Sequence, residues 1–160
     1  MSHPTDIGPL DAHPGPAAGL TLDWDLLACN EQWRAIFTGL RTGENLLEWL
    51  FASPHARQFP EWRRTARHML LWYVDAQLQH GGDGRALARL RPLATTNRAV
   101  RSLLGDTDAD EVEVVFSEGA PLEVPDPETG AVTIYRFDPI ALIESEPVPY
   151  YAIQGSVCEA

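Results

Sequence analysis

One continuous stretch, residues 45–74, constrains the fold of this chain more than any other part of it. It predicts two helices that meet at a corner marked by prolines. Asn45 is a typical N-cap for the first helix, Pro54 ends it, and Pro60 lies in the first turn of the second. The apolar faces consist of Leu46, Leu47, Leu50 and Phe51 in the first helix, and of Trp62, Ala66, Met69, Leu70, Tyr73 and Val74 in the second. Each helix therefore has one face that must be buried against another layer.

Alternation of apolar and polar residues before this stretch predicts a strand. Residues 20–26 follow the pattern of a strand with one buried face. The strand ends before Asn30, which is a good cap for a short helix. Residues 1–19 are rich in proline, glycine and alanine, and we expect a flexible tail there, in front of a single domain over 20–160.

Two further helices and a run of strands follow residue 80. We expect Pro92 to end the first of these helices, which begins near Asp83, and Thr95 or Thr96 to cap the second. Alternating patterns then predict strands over 111–116, 122–124, 132–137 and 150–157. Because helices and antiparallel strands occupy separate parts of the chain, their order predicts an α+β fold.

The charge of the chain argues against nucleic-acid binding. Its formal net charge is −11, and all 12 basic residues are arginine. Most of these arginines lie within residues 57–101, where we expect the solvated surface of helices. A chain this acidic does not attract a phosphate backbone through its overall field. We therefore expect no direct contact with nucleic acid.

Nothing in the sequence predicts a membrane segment or an export signal. No apolar run approaches the ~20 residues that a membrane-spanning helix needs. The N-terminus lacks the basic and apolar regions of a signal peptide. Cys29 and Cys158 lack the spacing of a metal or redox site, and we expect both to be free thiols. These features predict a cytoplasmic protein with no membrane contact.

The sequence contains none of the common catalytic, nucleotide-binding or metal-binding motifs. Asp23 and Asp25, like Glu111 and Glu113, have the spacing of a carboxylate pair, but such pairs also form the polar face of an ordinary strand. His68 has no second metal ligand three or four residues away. We therefore expect no enzyme activity, no bound metal and no cofactor.

Aromatic residues are concentrated between residues 33 and 73. They are Trp33, Phe37, Trp49, Phe51, Phe59, Trp62, Trp72 and Tyr73. In a domain of this size these side chains can fill the core, or the helices that carry them can enclose an apolar cavity against a curved sheet. The sequence leaves both alternatives open.

Four phrases in this part of the chain, taken together, resemble a known family. Their residues are Trp24, Asp25, Leu27 and Asn30; Asn45, Leu46, Leu47 and Phe51; Pro54 and Arg57; and Glu61, Trp62, Ala66 and Arg67. The combination is similar to the ligand-binding domain of MmyB-like transcription regulators, which usually follows an XRE-type helix-turn-helix part in GC-rich bacteria, chiefly actinobacteria. We expect this chain to be the sensor part without the helix-turn-helix.

The resemblance implies a PAS-like fold, in which several helices pack on one face of an antiparallel sheet. It also implies a sensor that binds a fatty acid or another small apolar molecule. The candidate ligand contacts share inward positions on the predicted helices, and they are Trp33, Phe37, Leu47, Phe51, Met69 and Tyr73. Arg67 is the candidate partner of a ligand carboxylate. The alternative is a protein–protein interaction module with a filled core and no ligand, which forms a homodimer or docks a partner regulator.

Overall fold

A computed structural model describes residues 14–80, 84–105, 120–126, 128–137, 141–143 and 150–157 of the chain. Over these residues, the strands lie at the two ends of the sequence, and the long middle part is helical. The elements are β1 (Ala17–Leu20), β2 (Leu26–Cys29), α1 (Glu31–Ile36), α2 (Leu46–Ala52), a 3-10 helix (Pro54–Gln58), α3 (Trp62–His80), α4 (Arg85–Thr96), α5 (Arg98–Gly105), β3 (Ala120–Pro125), β4 (Val132–Phe137), β5 (Ala141–Ile143) and β6 (Tyr150–Val157).

The six strands form an antiparallel sheet that joins the two ends of the chain. Its order is β2-β1-β6-β4-β3, and β5 also pairs with β6. The first strand therefore lies beside the last one in the middle of the sheet, with Ala17 opposite Gln154 and Leu20 opposite Tyr151. Because the helices are inserted between β2 and β3 and the sheet is antiparallel, the predicted α+β class is confirmed.

The strands β3 and β4 have one buried and one exposed face. Leu122 lies opposite Tyr135, and both side chains belong to or pack against the core. Ile134 lies opposite Glu123 on the other face, where Ile134 is exposed. The buried side of β4 ends at Phe137, which packs edge-on against Trp33 with ring centroids 5.9 Å apart. Helical residues thus cover one face of this part of the sheet.

The single strand predicted over residues 20–26 is wrong, because this segment is the turn of a hairpin. The amide of Trp24 donates to Thr21 O at 2.9 Å, and the amide of Thr21 donates to Asp25 O at 2.9 Å. Trp24 has a φ of 70°, in the left-handed region that breaks an extended strand. The alternating pattern arises because the hairpin also buries the apolar side chains of Leu20, Trp24 and Leu26. Residues 17–19, which the sequence assigned to the tail, form most of β1.

Two boundaries predicted after residue 80 are also wrong. Pro92 lies inside α4, and the helix continues because the following Leu93 and Ala94 pack against the core. The side chains of Thr95 and Thr96 donate back to carbonyl groups within the last turn of α4, so neither residue caps α5. Asn97 is the cap instead, and its side-chain oxygen accepts hydrogen bonds from the backbone amides of Ala99 and Val100.

Helix α3 is buried over a wider surface than its predicted apolar stripe. Leu71 and Trp72 lie off that stripe, yet Leu71 is 0% and Trp72 1% exposed. The reason is the position of α3, which contacts α2, α5 and β3 at once. The strand predicted over 111–116, the Glu111 and Glu113 pair and Cys158 lie outside the described residues.

Candidate functional site

The centre of the domain is a group of aromatic rings between α1, α2 and the sheet. Phe37 follows α1 and lies in the middle of the group. Its ring centroid is 4.2 Å from that of Trp33, 5.5 Å from that of Trp49 and 6.3 Å from that of Phe59. Phe137 approaches from β4, with its ring centroid 6.1 Å from that of Phe37. Rings in this geometry form a packed interior, with mostly edge-on contacts that favour aromatic pairs.

The structure places all six apolar candidates in one buried cluster. None of these side chains is more than 2% exposed. They are Trp33 and Phe37 at α1, Leu47 and Phe51 on α2, and Met69 and Tyr73 on α3. Ring contacts place the four aromatic candidates in three neighbourhoods: Trp33 lies with Phe37, Phe51 packs on Trp62, and Tyr73 packs on Trp24. Arg67 is half-buried on α3.

A polar cluster of Asp23, Tyr73 and the start of α4 lies beside these rings. The Tyr73 hydroxyl donates to Asp23 Oδ1 at 2.6 Å. The amide of Ala86 lies 3.2 Å from the same carboxylate oxygen and 3.2 Å from the Tyr73 hydroxyl oxygen. Asp23 therefore caps α4 from a distant turn, since Gly84 at the N-cap position has no side chain. We call these three groups the Asp23 cluster.

The sequence pattern did not reveal the Asp23 cluster. Asp23 and Asp25 were both expected on the polar face of a strand. Instead, Asp23 is only 8% exposed, and the Asp25 carboxylate accepts a hydrogen bond from the side chain of Asn45. The nearest sequence signal is the pair of large apolar neighbours of Asp23, Leu22 and Trp24. That signal does not identify the partner Tyr73, which is fifty residues away along the chain.

Removing the Tyr73 hydroxyl should destabilise the domain. Tyr73→Phe keeps the ring but leaves Asp23 without its closest donor, so we expect the free energy of unfolding at pH 7 to fall by about 2 kcal/mol. Urea denaturation followed by tryptophan fluorescence measures this change. Tyr135→Phe on β4 is the control for a lost hydroxyl, and we expect a change within about 0.5 kcal/mol. Equal effects of the two variants would contradict the role of the Tyr73 hydrogen bond.

The stability difference between the wild type and Tyr73→Phe should also depend on pH. Burial, followed by the hydrogen bond and the charge of Asp23, raises the pKa of Tyr73 above the usual tyrosine range. Above about pH 10 a tyrosine in the unfolded chain ionises while Tyr73 in the folded protein keeps its proton. The contribution of Tyr73 is therefore complete below about pH 10 and decreases as the pH rises further. Between pH 10 and 11 the stability difference between the wild type and Tyr73→Phe should narrow.

A comparison with known families identifies the domain. A family model described as MmyB-like transcription regulator ligand binding domain matches residues 9–134. The matched span includes β1, β2, all the helices described above and the Asp23 cluster. The chain belongs to this family. No curated protein sequence and no solved structure matched it in the corresponding searches. The resemblance carried by the four sequence phrases is thus confirmed.

In this MmyB-like domain, two asparagines of those phrases join the helices to the hairpin. The side-chain oxygen of Asn30 accepts hydrogen bonds from the amides of Trp33 at 3.0 Å and Ala17 at 3.1 Å. Its amide nitrogen donates to Gly15 O at 2.8 Å. Asn30 is therefore both the predicted cap of α1 and a link to the chain entering β1. An ordinary cap residue satisfies only the first of these roles.

Asn45 has two corresponding roles at α2: it caps the helix and links it to the hairpin. Its side-chain oxygen accepts from the amide of Glu48 at 3.0 Å, which confirms the predicted cap. Its amide nitrogen donates to Asp23 O at 2.6 Å and to Asp25 Oδ1 at 3.0 Å. Since Asn45 is only 4% exposed, these bonds are shielded from water. Asn45 therefore holds the turn that carries Asp23 and Trp24 against the start of α2.

The corner between α2 and α3 is held by an arginine and a tryptophan. The guanidinium carbon of Arg57 lies 3.5 Å from the centroid of the Trp62 ring, a cation–π contact. The indole nitrogen of Trp62 donates to Leu50 O at 2.9 Å, and its ring packs edge-on against Phe51. The Pro54–Arg57 phrase of the MmyB-like domain thus fixes the angle between two helices of the core.

The described part of the MmyB-like domain offers no metal site and no membrane helix. No group of three or more histidine, cysteine, aspartate or glutamate side chains in it is placed to hold a metal ion. Within the same residues no helix has the length and apolarity needed to cross a membrane. Cys29 is buried at the end of β2. The chemistry available near the core is therefore that of aromatic rings, Arg67 and the Asp23 cluster.

Proposed function

We propose that this chain is the sensor of a transcription regulator and that it binds a fatty acid or a similar small apolar molecule in its helical core. Membership of the MmyB-like family supports ligand sensing. The proposal further includes a PAS-like arrangement of one domain that begins with β1, a cytoplasmic location, no enzyme activity and no direct contact with DNA. The sheet order and the helices packed on its buried face support that arrangement.

The observation that carries the proposal is the position of the candidate residues around α3. Met69 and Tyr73 of α3 belong to the same buried cluster as the candidates on α1 and α2. Arg67 lies on the same helix and is half-buried. The helix rise of about 1.5 Å per residue puts Arg67 about 9 Å from Tyr73 along the axis. A fatty acid with its carboxylate at Arg67 would direct its chain into the apolar cluster.

Binding in this core requires side chains to move. The rings around Phe37 are in direct contact, so an acyl chain must separate some of them before it can enter. A ligand that stabilises an opened arrangement changes the population of that arrangement. This coupling between occupancy and helix position is what a sensor needs, and α3 is the helix best placed to transmit it because it contacts α2, α5 and β3.

Lipid analysis and ligand titration test the proposal. Mass spectrometry of the natively purified chain after denaturation should detect a fatty acid, and dodecanoic acid should raise the Tm. Arg67→Gln should weaken binding of dodecanoic acid by about tenfold or more, because a charge-assisted hydrogen bond is lost. Arg64→Gln is the matched control, since Arg64 is an exposed arginine on the same helix. Absence of co-purified lipid together with no thermal shift would refute the proposal.

A second candidate is the interaction module with a filled core. The close ring contacts around Phe37 favour it, because they leave the aromatic residues well packed without any ligand. The exposed face of β4 carries Val132 and Ile134, which are 50% and 38% exposed and could meet a second copy or a partner regulator. Light scattering of lipid-free protein distinguishes the candidates. A stable dimer that Ile134→Glu converts to monomer would favour the interaction module.

A further inference from the structure

Two neighbouring side chains in the β1–β2 turn have complementary hydrogen-bonding groups that are not used. Asp23 Oδ2 and Trp24 Nε1 are both buried, and neither has a hydrogen-bond partner among the residues that the structure describes. Asp23 is 8% exposed and Trp24 0%. The first atom is an acceptor and the second is a donor. Burying either one without a partner costs free energy, so this arrangement calls for a group that satisfies both.

The surrounding contacts hold both side chains firmly. Asp23 Oδ1 already accepts from the Tyr73 hydroxyl and the Ala86 amide, which orients the carboxylate and leaves Oδ2 available. Trp24 is held through its backbone, because its carbonyl oxygen accepts from the amide of Leu46 at 2.9 Å. The Trp24 ring packs edge-on against Tyr73, with centroids 5.5 Å apart and an interplanar angle of 86°. Both groups therefore lie fixed beside the same tyrosine.

The backbone of Trp24 adds an independent sign of a functional role. Its φ of 70° is uncommon for any residue other than glycine and costs free energy in a large aromatic residue. Replacement by glycine would relieve this strain, yet the position holds an indole whose only polar atom has no partner within the described part of the chain. Strained backbone of this kind is concentrated at binding sites, where it places a side chain for recognition.

We propose that Asp23 Oδ2 and Trp24 Nε1 together bind one O–H group, which donates to the carboxylate oxygen and accepts from the indole. A hydroxyl or a water molecule is the smallest group that can do both. A hydrocarbon end would leave both atoms unsatisfied, and a carboxylate end would be repelled by Asp23. The O–H group comes either from an internal water or from a hydroxyl on the bound molecule. The second source rests on the proposed function and places that hydroxyl opposite the acid end at Arg67.

A crystal structure of the lipid-free chain, unfolded and refolded to remove bound molecules, tests the site itself. We expect an ordered oxygen within about 3.2 Å of both Asp23 Oδ2 and Trp24 Nε1. The internal water would be ruled out by a high-resolution map that shows no density between the two atoms while both side chains keep this orientation. This experiment does not depend on whether the chain binds fatty acids.

A pair of ligands tests the second source. We expect 12-hydroxydodecanoic acid to bind at least about tenfold more tightly than dodecanoic acid, because a site built for a hydroxyl discriminates against analogues that lack it. Trp24→Phe removes the indole donor while keeping an aromatic ring, and it should abolish this preference. Trp72→Phe is the matched control: Trp72 Nε1 is also buried without a partner among the described residues, but Trp72 is not one of the candidate ligand contacts, so the preference should persist.

The outcomes separate the two proposals. A preference that disappears only in Trp24→Phe supports the ligand hydroxyl, whereas an ordered water without any preference supports the internal water. If neither acid binds, the proposed function fails and the crystal structure alone decides the O–H site. If there is neither density nor preference, the site proposal is wrong.

Discussion

Gly155→Val is expected to destabilise the domain by about 3 kcal/mol or more, a large fraction of the roughly 5–15 kcal/mol by which a typical domain is stable. Gly155 lies opposite Phe137 in the pairing of β4 with β6. A Cβ atom at this position would lie 2.7 Å from Phe137 Cε1 and 2.8 Å from Pro16 Cγ. Phe137 cannot move away freely, because its ring packs against Trp33 and Phe37. Thermal and urea denaturation measure the loss.

A double mutant tests whether Phe137 is the cause. Gly155→Ala alone is expected to cost about 2 kcal/mol. Combined with Phe137→Leu, which leaves more room at the contact, the total should be smaller than the sum of the two single changes by about 1 kcal/mol. Strict additivity would show that the close approach to Phe137 does not determine the effect. The central position of β6 in the sheet makes this contact important, since β6 pairs with β1, β4 and β5.

Asn45→Ala is expected to lower the free energy of unfolding by about 3 kcal/mol. The substitution removes the cap of α2, worth about 1 kcal/mol. It also leaves the buried carbonyl of Asp23 and the Asp25 carboxylate without the donor that Asn45 Nδ2 provides, which adds about 2 kcal/mol. Because the same bonds hold the turn, the Asp23 cluster should loosen as well. Urea denaturation gives the stability, and hydrogen exchange of the Ala86 amide reports the loosening.

Asn97→Ala is the matched control for this prediction. Asn97 caps α5 through the amides two and three residues ahead, and both of these side-chain hydrogen bonds stay within that helix start. We expect a loss of about 1 kcal/mol and no change in exchange at Ala86. If Asn45→Ala and Asn97→Ala have equal effects, the long-range bonds of Asn45 do not contribute to stability.

Features determined within a few residues of the chain were predictable. The asparagine caps at Asn30 and Asn45 and the long helix α3 follow from local hydrogen bonding and from the 3.6-residue period of apolar side chains. The strands β3, β4 and β6 follow from alternation and from the turn residues between them. The burial of the six apolar candidates was also correctly anticipated, because inward helix faces are recognisable without knowing what covers them.

Errors arose where a tertiary contact overrides a local rule. Pro92 is compatible with a continuous α4 because Leu93 beyond it packs against the core, and that gain exceeds the cost of one missing hydrogen bond. The alternation over residues 20–26 was read as a strand because a tight turn that buries Trp24 produces the same pattern. The positive φ of Trp24 distinguishes the turn from a strand, and the residue types in this segment do not predict that φ.

By itself, the sequence determined the helices over residues 45–74, the α+β class and membership of the MmyB-like family. Each of these depends on residue types and spacings that act over one or two turns of chain. Only the tertiary structure decided which of two similar aspartates is buried. Asp23 receives the hydroxyl of Tyr73 and the amide of Ala86 because the packing of α3 and α4 brings together groups 50 and 63 residues apart. Such a contact depends on the geometry of the whole core, since no local pattern encodes a partner so distant along the chain.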